Sequence, residues 1–137
     1  MTKQQLLALD VGEKRIGVAL ADTSIGISVA FDTIEVDGSE VERILRIILD
    51  EKIDTVVVGY PRNQAGEATR QTEYVEAFTE LLRDIDATIV FQDESLTSVK
   101  AEEILNRQKK PYVKADVDAL AASLILQDYL EEHRGRI

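Results

Sequence analysis

The sequence predicts an α/β protein built on one mixed five-stranded sheet with helices on both faces. Three observations carry that expectation. Between Leu6 and Val36, three short apolar or alternating runs are separated only by turns holding Gly12 and Gly26, the pattern of antiparallel strands. Beyond Val36, helical apolar spacing alternates with β-branched runs, the pattern of βαβ crossovers. Only two prolines and no repeat or low-complexity segment interrupt the 137 residues, so nothing marks a linker and residues 1–137 are expected to form a single domain.

The elements follow in order. Leu6 to Val11 is a short apolar run that ends on Asp10 and Val11, a first strand. Arg15 to Asp22 alternates Ile16, Val18 and Leu20 with smaller residues, a second. Ile27 to Val36 alternates again and is expected to place Ile27, Val29, Phe31 and Thr33 on one face, a third. Ser39, followed three residues later by Glu42, is a capping-box signature; Val41, Ile44, Leu45 and Ile48 then keep helical spacing. Thr55 to Gly59 is a continuous β-branched run suited to a central strand buried on both faces. A loop over Pro61–Gly66 leads to a helix over Glu67–Asp84, with Tyr74, Val75, Phe78, Leu81 and Leu82 on its inner side. Thr88 to Phe91 is the fifth strand. Thr97–Gln108 and Val117–Glu132 are the last two helices.

Composition narrows the chemistry. The chain has no cysteine, which excludes disulfides, thiolate metal sites and cysteine nucleophiles. Its one histidine, His133, sits in a charged C-terminal stretch, which argues against a Ser–His–Asp triad or a two-histidine metal site. A net charge of −10 argues against a general polyanion binder, though not against a nucleic-acid enzyme whose acidic site is offset by metal ions. No stretch approaches the roughly 18 apolar residues of a membrane span, and no cleavage site follows the first apolar run. The expectation is a cytoplasmic protein with no membrane partner.

Three acidic residues stand out by position. Asp10 ends the first strand, Glu94 follows the fifth, and Asp118 is expected in the first turn of the last helix. Sites in α/β sheets form outside the carboxyl ends of parallel strands. If the first, fourth and fifth strands are parallel neighbours, Asp10 and Glu94 leave the same edge, and a helix N-terminus facing it adds Asp118. Three converging carboxylates repel, and a hard divalent cation relieves the repulsion. Mg²⁺ (or Mn²⁺) held by Asp10, Glu94 and Asp118 suits phosphodiester hydrolysis, with these residues as catalytic and metal ligands. Each taken alone also fits ordinary turn or cap chemistry, as do Asp93 and Asp116. Their coincidence at one edge is what points to a site.

Leu7–Gly12 with Arg15–Ala19, Val57–Pro61 followed by Asn63 and Gly66, Asp93–Ser98, and Asp118-Ala119 leading into Ala121-Ala122 and Ile125-Leu126 resemble, in order, the motifs of the YqgF (RuvX-like) family. The resemblance runs from Leu6 to about Leu130. It implies a ribonuclease-H-like fold, and with the strand pattern it predicts the sheet order 3-2-1-4-5. It implies a nuclease that processes pre-16S rRNA, in a family earlier named Holliday junction resolvases, with its acidic motif on Asp10, Glu94 and Asp118. Ser95 stands where the family usually has arginine, a natural phosphate contact. Other cations then become candidates for nucleic-acid binding: Lys14, Arg15 and Arg62, and the group Arg107, Lys109, Lys110 and Lys114. The segment from Leu96 to Ala115 carries five basic and two acidic residues, a local +3, and is equally readable as a solvated loop. Asn63, in the loop with Gln64 and Gly66, is a further candidate for a phosphate or a base, and equally a plain β-to-α turn. Beyond Tyr112 the sequence shows no aromatic interleaving for base stacking, so backbone contact is expected over base readout.

These readings leave several functions open. The first is a metal-dependent endonuclease acting on structured RNA, most readily the 5′ end of pre-16S rRNA in ribosome biogenesis. The second is the same chemistry on branched DNA, a Holliday junction resolvase, which cuts two symmetric strands and needs a dimer. A non-catalytic nucleic-acid-binding module is the third. A sugar kinase or actin-like ATPase also opens on a strand ending in Asp-x-Gly, but needs two such domains. No exposed apolar stripe announces a dimer face, and a monomer or weak homodimer is expected.

Overall fold

In the computed structural model, which describes residues 3–94 and 97–133, the strands are β1 (Gln5–Val11), β2 (Arg15–Asp22), β3 (Ser28–Glu35), β4 (Thr55–Tyr60) and β5 (Thr88–Asp93). The helices are α1 (Glu40–Asp50), α2 (Arg70–Glu80), α3 (Thr97–Arg107) and α4 (Lys114–Glu132). They form one sheet in the order β3-β2-β1-β4-β5. β1 is antiparallel to β2 and β2 to β3, while β4 runs parallel to both β1 and β5. The carboxyl ends of β1, β4 and β5 therefore share one edge of the sheet, as the sequence predicts.

Side-chain alternation sorts the strands onto two cores. Leu7, Leu9, Ile16, Val18, Ile34, Val56 and Val58 face α1 and α2, where Ile44, Ile48, Val75, Phe78 and Leu82 close over them. Leu6, Ala8, Ala19, Ala21 and Val57 face α4, meeting Ala122, Ile125, Leu126 and Tyr129. α3 packs outside the sheet, with Ala101 against Val117 and Ala121 of α4. Each fully buried Leu, Ile or Val contributes about 1.5–3 kcal/mol. Small residues on the α4 face let that helix lie close to the strands, which matters for the site.

Four expectations need correction. α2 is shorter than Glu67–Asp84. Thr69 caps it by accepting from the Thr72 backbone N–H, so the chain before it is loop, and past Glu80 the N–H groups of Leu81 and Leu82 turn back to Phe78 and Thr79, a tighter turn that ends the helix. Leu81 consequently points outward. At Ser39 the residue does cap α1, but its hydroxyl donates to Asp37 Oδ1 and makes no bond to the helix; Glu40 Oε1 instead accepts from the Asp37 and Gly38 N–H groups. α4 begins at Lys114, not Val117, because Asp116 accepts from the Val113 N–H at 3.0 Å and closes the first turn; Asp118 therefore lies in the second turn. Finally, Ile27, Val29 and Phe31 lie beyond the reach of α1 and are exposed, by 48–62 %. A register shift at Val18/Ala19 in the β2–β3 pairing separates that end of β3 from the buried Ile34. The structure thus has an apolar stripe the sequence reading did not expect.

Candidate active site

Two glycines build the site. Gly17 of β2 pairs in register with Asp10 of β1. A Cβ at Gly17 would stand 1.9 Å from the backbone oxygen of Asp118, so α4 crosses the sheet in direct backbone contact there. No side chain fits between, and that approach brings Asp118 beside Asp10. At Gly59 of β4 a Cβ would stand 2.9 Å from Glu94 Oε1 and 2.8 Å from Ile125 Cδ1, so the missing side chain makes room for the Glu94 carboxylate. Glu94 directly follows β5, anchored by its N–H to the Tyr60 carbonyl at 3.2 Å. A glycine inside a strand signals a close approach, and both were visible in the sequence although their role was not read from it.

The three carboxylates meet at a cleft of about 440 Å³. Asp10, Glu94 and Asp118 line it with Arg15, Arg62 and Gln71, and the start of α3 closes one side through Thr97, Ser98 and Val99. Burial pushes the Asp10 carboxyl well above its ordinary pKa; a hydrogen-bonding contact with Glu94 and the charges of Glu94 and Asp118 push it further. Gln71 Nε2 donates to the Val11 carbonyl at 2.9 Å and ties α2 to the strand end beside Asp10. These acids are crowded, and the site as it stands disfavours ionising all of them.

The cations differ in placement. Arg15 Nε donates to Asp118 Oδ2 at 2.6 Å, both side chains about a quarter exposed, so Arg15 is the internal counter-ion of the site. Asp118 holds that guanidinium's pKa above its ordinary value. Arg62 lies 4.9 Å over the Tyr60 ring and 3.6 Å from Asp93 Oδ1, an exposed pairing of little energy. Lys14 is exposed in the β1–β2 turn. Arg107, Lys109, Lys110 and Lys114 are exposed around the α3–α4 turn, where Lys109 takes a left-handed φ of 55°. Lys114 opens α4, about 6 Å along the helix from Asp118, whereas Arg107 ends α3, roughly 15 Å from Thr97. None of the four lines the cleft. Asn63 is spent on its own loop: its Oδ1 accepts from the N–H groups of Ala65 and Glu67 and its Nδ2 donates to Glu67 Oε1. Ser95, with Leu96, lies outside the described residues.

The donor set is all carboxylate oxygen, which suits a hard divalent cation such as Mg²⁺ or Mn²⁺. Among the described residues, however, no group of three acidic or histidine side chains stands together as a finished ligand set. In this arrangement Asp118 is engaged by Arg15.

A sheet of this order, with an acidic cleft at the carboxyl ends of its parallel strands, is the ribonuclease-H-like arrangement the sequence predicts. Comparison gives the family. The RuvX family model, described as Holliday junction resolvase, matches residues 4–132, and the chain belongs to that family. It is 42 % identical to a protein of Chloroflexus aurantiacus named "Putative pre-16S rRNA nuclease", over 98 % of this chain and 92 % of that one. It is 38 % identical to a protein of the same name from Mycoplasmopsis synoviae, over 93 % of this chain and 98 % of that one. Among solved structures, Thermus thermophilus RuvC in complex with a Holliday junction superposes with a TM-score of 0.60 at 13 % identity, covering 96 % of this chain and 97 % of that one. The fowlpox virus resolvase does so with a TM-score of 0.57 at 11 % identity, covering 95 % and 99 %. At these identities the two structures speak to the fold.

Proposed function

We propose that this protein is a metal-dependent endonuclease that processes the 5′ end of pre-16S rRNA in ribosome biogenesis. The observation that carries the reading is the convergence of Asp10, Glu94 and Asp118 at one cleft, with a half-buried Asp10 crowded by the other two. The RNA assignment is supported by the name of relatives about 40 % identical over nearly the whole chain. A cytoplasmic location is part of this reading, and a cysteine-free chain fits it.

In this reading Asp10, Glu94 and Asp118 would hold one or two Mg²⁺ or Mn²⁺ ions, whose chemistry there would be to lower the pKa of an attacking water and offset charge on the leaving oxygen. The remaining work belongs to the protein. With a metal held there, Asp118 would be drawn from Arg15, whose guanidinium would then be able to face a phosphate oxygen, a bidentate partner it suits. Arg62 at the rim of the cleft faces the neighbouring phosphate. Gln71 and Gly17 hold the strand end and the helix in place, so the acids are positioned before substrate arrives. Lys109, Lys110 and Lys114 supply a cationic surface in a chain of net charge −10, offsetting long-range repulsion of a polyanion.

A second reading, cleavage of branched DNA, is favoured by one observation: the exposed stripe Ile27, Val29 and Phe31 offers a second copy an apolar face, and a resolvase needs a dimer. The test sets a labelled 5′ precursor fragment of 16S rRNA beside a four-way DNA junction, each with Mg²⁺ and with Mn²⁺. One discrete RNA cut with the junction intact is the expected result. Paired symmetric cuts in the junction alone would move the assignment to a resolvase. No cleavage of either would leave a binding module.

A further inference from the structure

A second cleft, of about 480 Å³, adjoins the acidic one along the outer edge of β5. Tyr60, Phe91 and Arg62 wall it on one side, and Gln92, Glu132 and His133 on the other. Tyr60 and Phe91 come from neighbouring strands and lie with ring centroids 4.8 Å apart and planes tilted by 52°. Far apart in sequence, they form the aromatic platform whose absence the sequence reading used to argue against base stacking. Arg62 lies over Tyr60, whereas Phe91 remains 43 % exposed on β5, which among the described residues is the edge strand beside β4.

The chemistry of the rim selects an occupant. Asp93 and Glu132 are carboxylates, and Gln92 donates to Glu132 at 2.7 Å, which leaves its carbonyl oxygen as an acceptor. The acceptors on the Gln92–Glu132 side disfavour a phosphate there and suit a neutral planar ring with N–H donors, while Arg62, beside Asp93, marks the side a phosphate can take. Arg62 lines this cleft and the acidic cleft alike, so it stands between them. A nucleotide chain with its scissile phosphate at Asp10 would pass Arg62 and bring a base of the adjoining nucleotide over Phe91.

We propose that the β5-edge cleft is a nucleobase subsite: an unstacked base of the substrate strand, one carrying an amino group, stacks on Phe91 beside Tyr60 while Arg62 meets the connecting phosphate. The inference rests on the nuclease reading above and sharpens it, because the nucleotide beside the cut must be unpaired. A continuous stacked duplex cannot place a base there. Stacking of one base on an aromatic ring supports about a five- to hundredfold gain in affinity.

The test uses the full chain with Ca²⁺ in place of Mg²⁺, so that binding is read apart from turnover. The probes are single-stranded oligonucleotides of precursor-rRNA leader sequence, made as RNA and as DNA, each with one 2-aminopurine moved position by position. Wild type should quench 2-aminopurine at one position next to the cleavage site. Phe91→Ala should lose that quenching and bind about five- to hundredfold more weakly, and Phe91→Trp should retain both. Phe91→Leu keeps the apolar bulk, and so should keep the wild-type Tm while losing the quenching, which separates stacking from structure. An abasic nucleotide at the quenched position should weaken wild type but leave Phe91→Ala indifferent. If wild type binds and cleaves while Phe91→Ala matches it in affinity and quenching, the subsite is overturned and the nuclease reading stands. If wild type binds neither RNA nor DNA, both fall.

Discussion

The contact between α4 and Gly17 makes a demanding prediction, because it joins stability and chemistry in one backbone approach. Gly17→Ala places a methyl group 1.9 Å from the Asp118 backbone oxygen, whereas ordinary contact begins near 3.4 Å. The helix must therefore lift by about 1.5 Å, since a backbone oxygen cannot rotate away. Overpacking of this kind costs about 1–3 kcal/mol. For 137 residues the unfolding entropy near the midpoint is about 0.3 kcal/mol/K, so Tm should fall by roughly 3–10 °C. The chemical consequence is larger, because Asp118 rides on the displaced turn, and a misplacement of about 1 Å can cost a hundredfold in rate. Differential scanning calorimetry and single-turnover cleavage on the same preparation read the two effects. A variant within about 1 °C of wild type and within threefold in rate would refute the reasoning.

Other perturbations have defined outcomes. Asp10 holds its proton more tightly in the folded protein, so the stability it contributes is present below the ordinary carboxyl value and is lost as pH rises through its raised folded pKa. Asp10→Asn is uncharged throughout. In metal-free buffer it should melt above wild type at pH 8, with the gap closing as pH falls below that value, while its cleavage is abolished; a variant less stable at pH 8 would contradict the crowding. Arg15→Gln removes the counter-ion of Asp118. Metal-free protein should lose little stability, as for an exposed ion pair, and calorimetric titration should show tighter Mn²⁺ binding, whereas weaker binding would make Arg15 a support of the metal site. Replacing Lys109, Lys110 and Lys114 together with Ala should flatten the slope of log K against log salt by roughly two to three units if all three meet phosphates; an unchanged slope would mark the α3–α4 turn as solvated surface.

Much of this architecture is legible in the sequence, for reasons that can be named. The β-branched run at Val56–Val58 becomes the strand buried on both faces. Asp10 and Glu94 share an edge because parallel strands point their carboxyl ends one way. What escaped the sequence depends on particular contacts, some within one turn and some between distant residues. The limits of α2 turn on Thr69 and Thr72 finding each other, with the Thr72 hydroxyl also donating to the Pro61 carbonyl. The start of α4 depends on Asp116 reaching the Val113 N–H, so the acid in the capping turn is Asp116, and Asp118, two residues on, faces the cleft, where Arg15 meets it. A strand's period does not say which face a helix will cover, and so Ile27, Val29 and Phe31, placed on one face of their strand by the sequence, stand exposed where no apolar stripe was expected. Arg15 illustrates the same limit: a cation beside an acidic motif suits a phosphate or a carboxylate, and only the fold places Asp118 at 2.6 Å. Tyr60 and Phe91 are 31 residues apart in sequence, and the β4–β5 pairing alone makes them neighbours.

The account stands on Asp10, Glu94 and Asp118 acting together as one metal-binding, phosphodiester-cleaving site. The most direct measurement titrates Mn²⁺ into wild type, Asp10→Asn, Glu94→Gln and Asp118→Asn by calorimetry, and follows cleavage of the precursor-rRNA fragment in the same samples. Wild type should bind the ion and cleave, and chelation should stop it; each variant should lose at least about tenfold in affinity and lose cleavage with it. Cleavage that persists in chelator, or variants that bind Mn²⁺ and cleave as wild type does, would contradict the account.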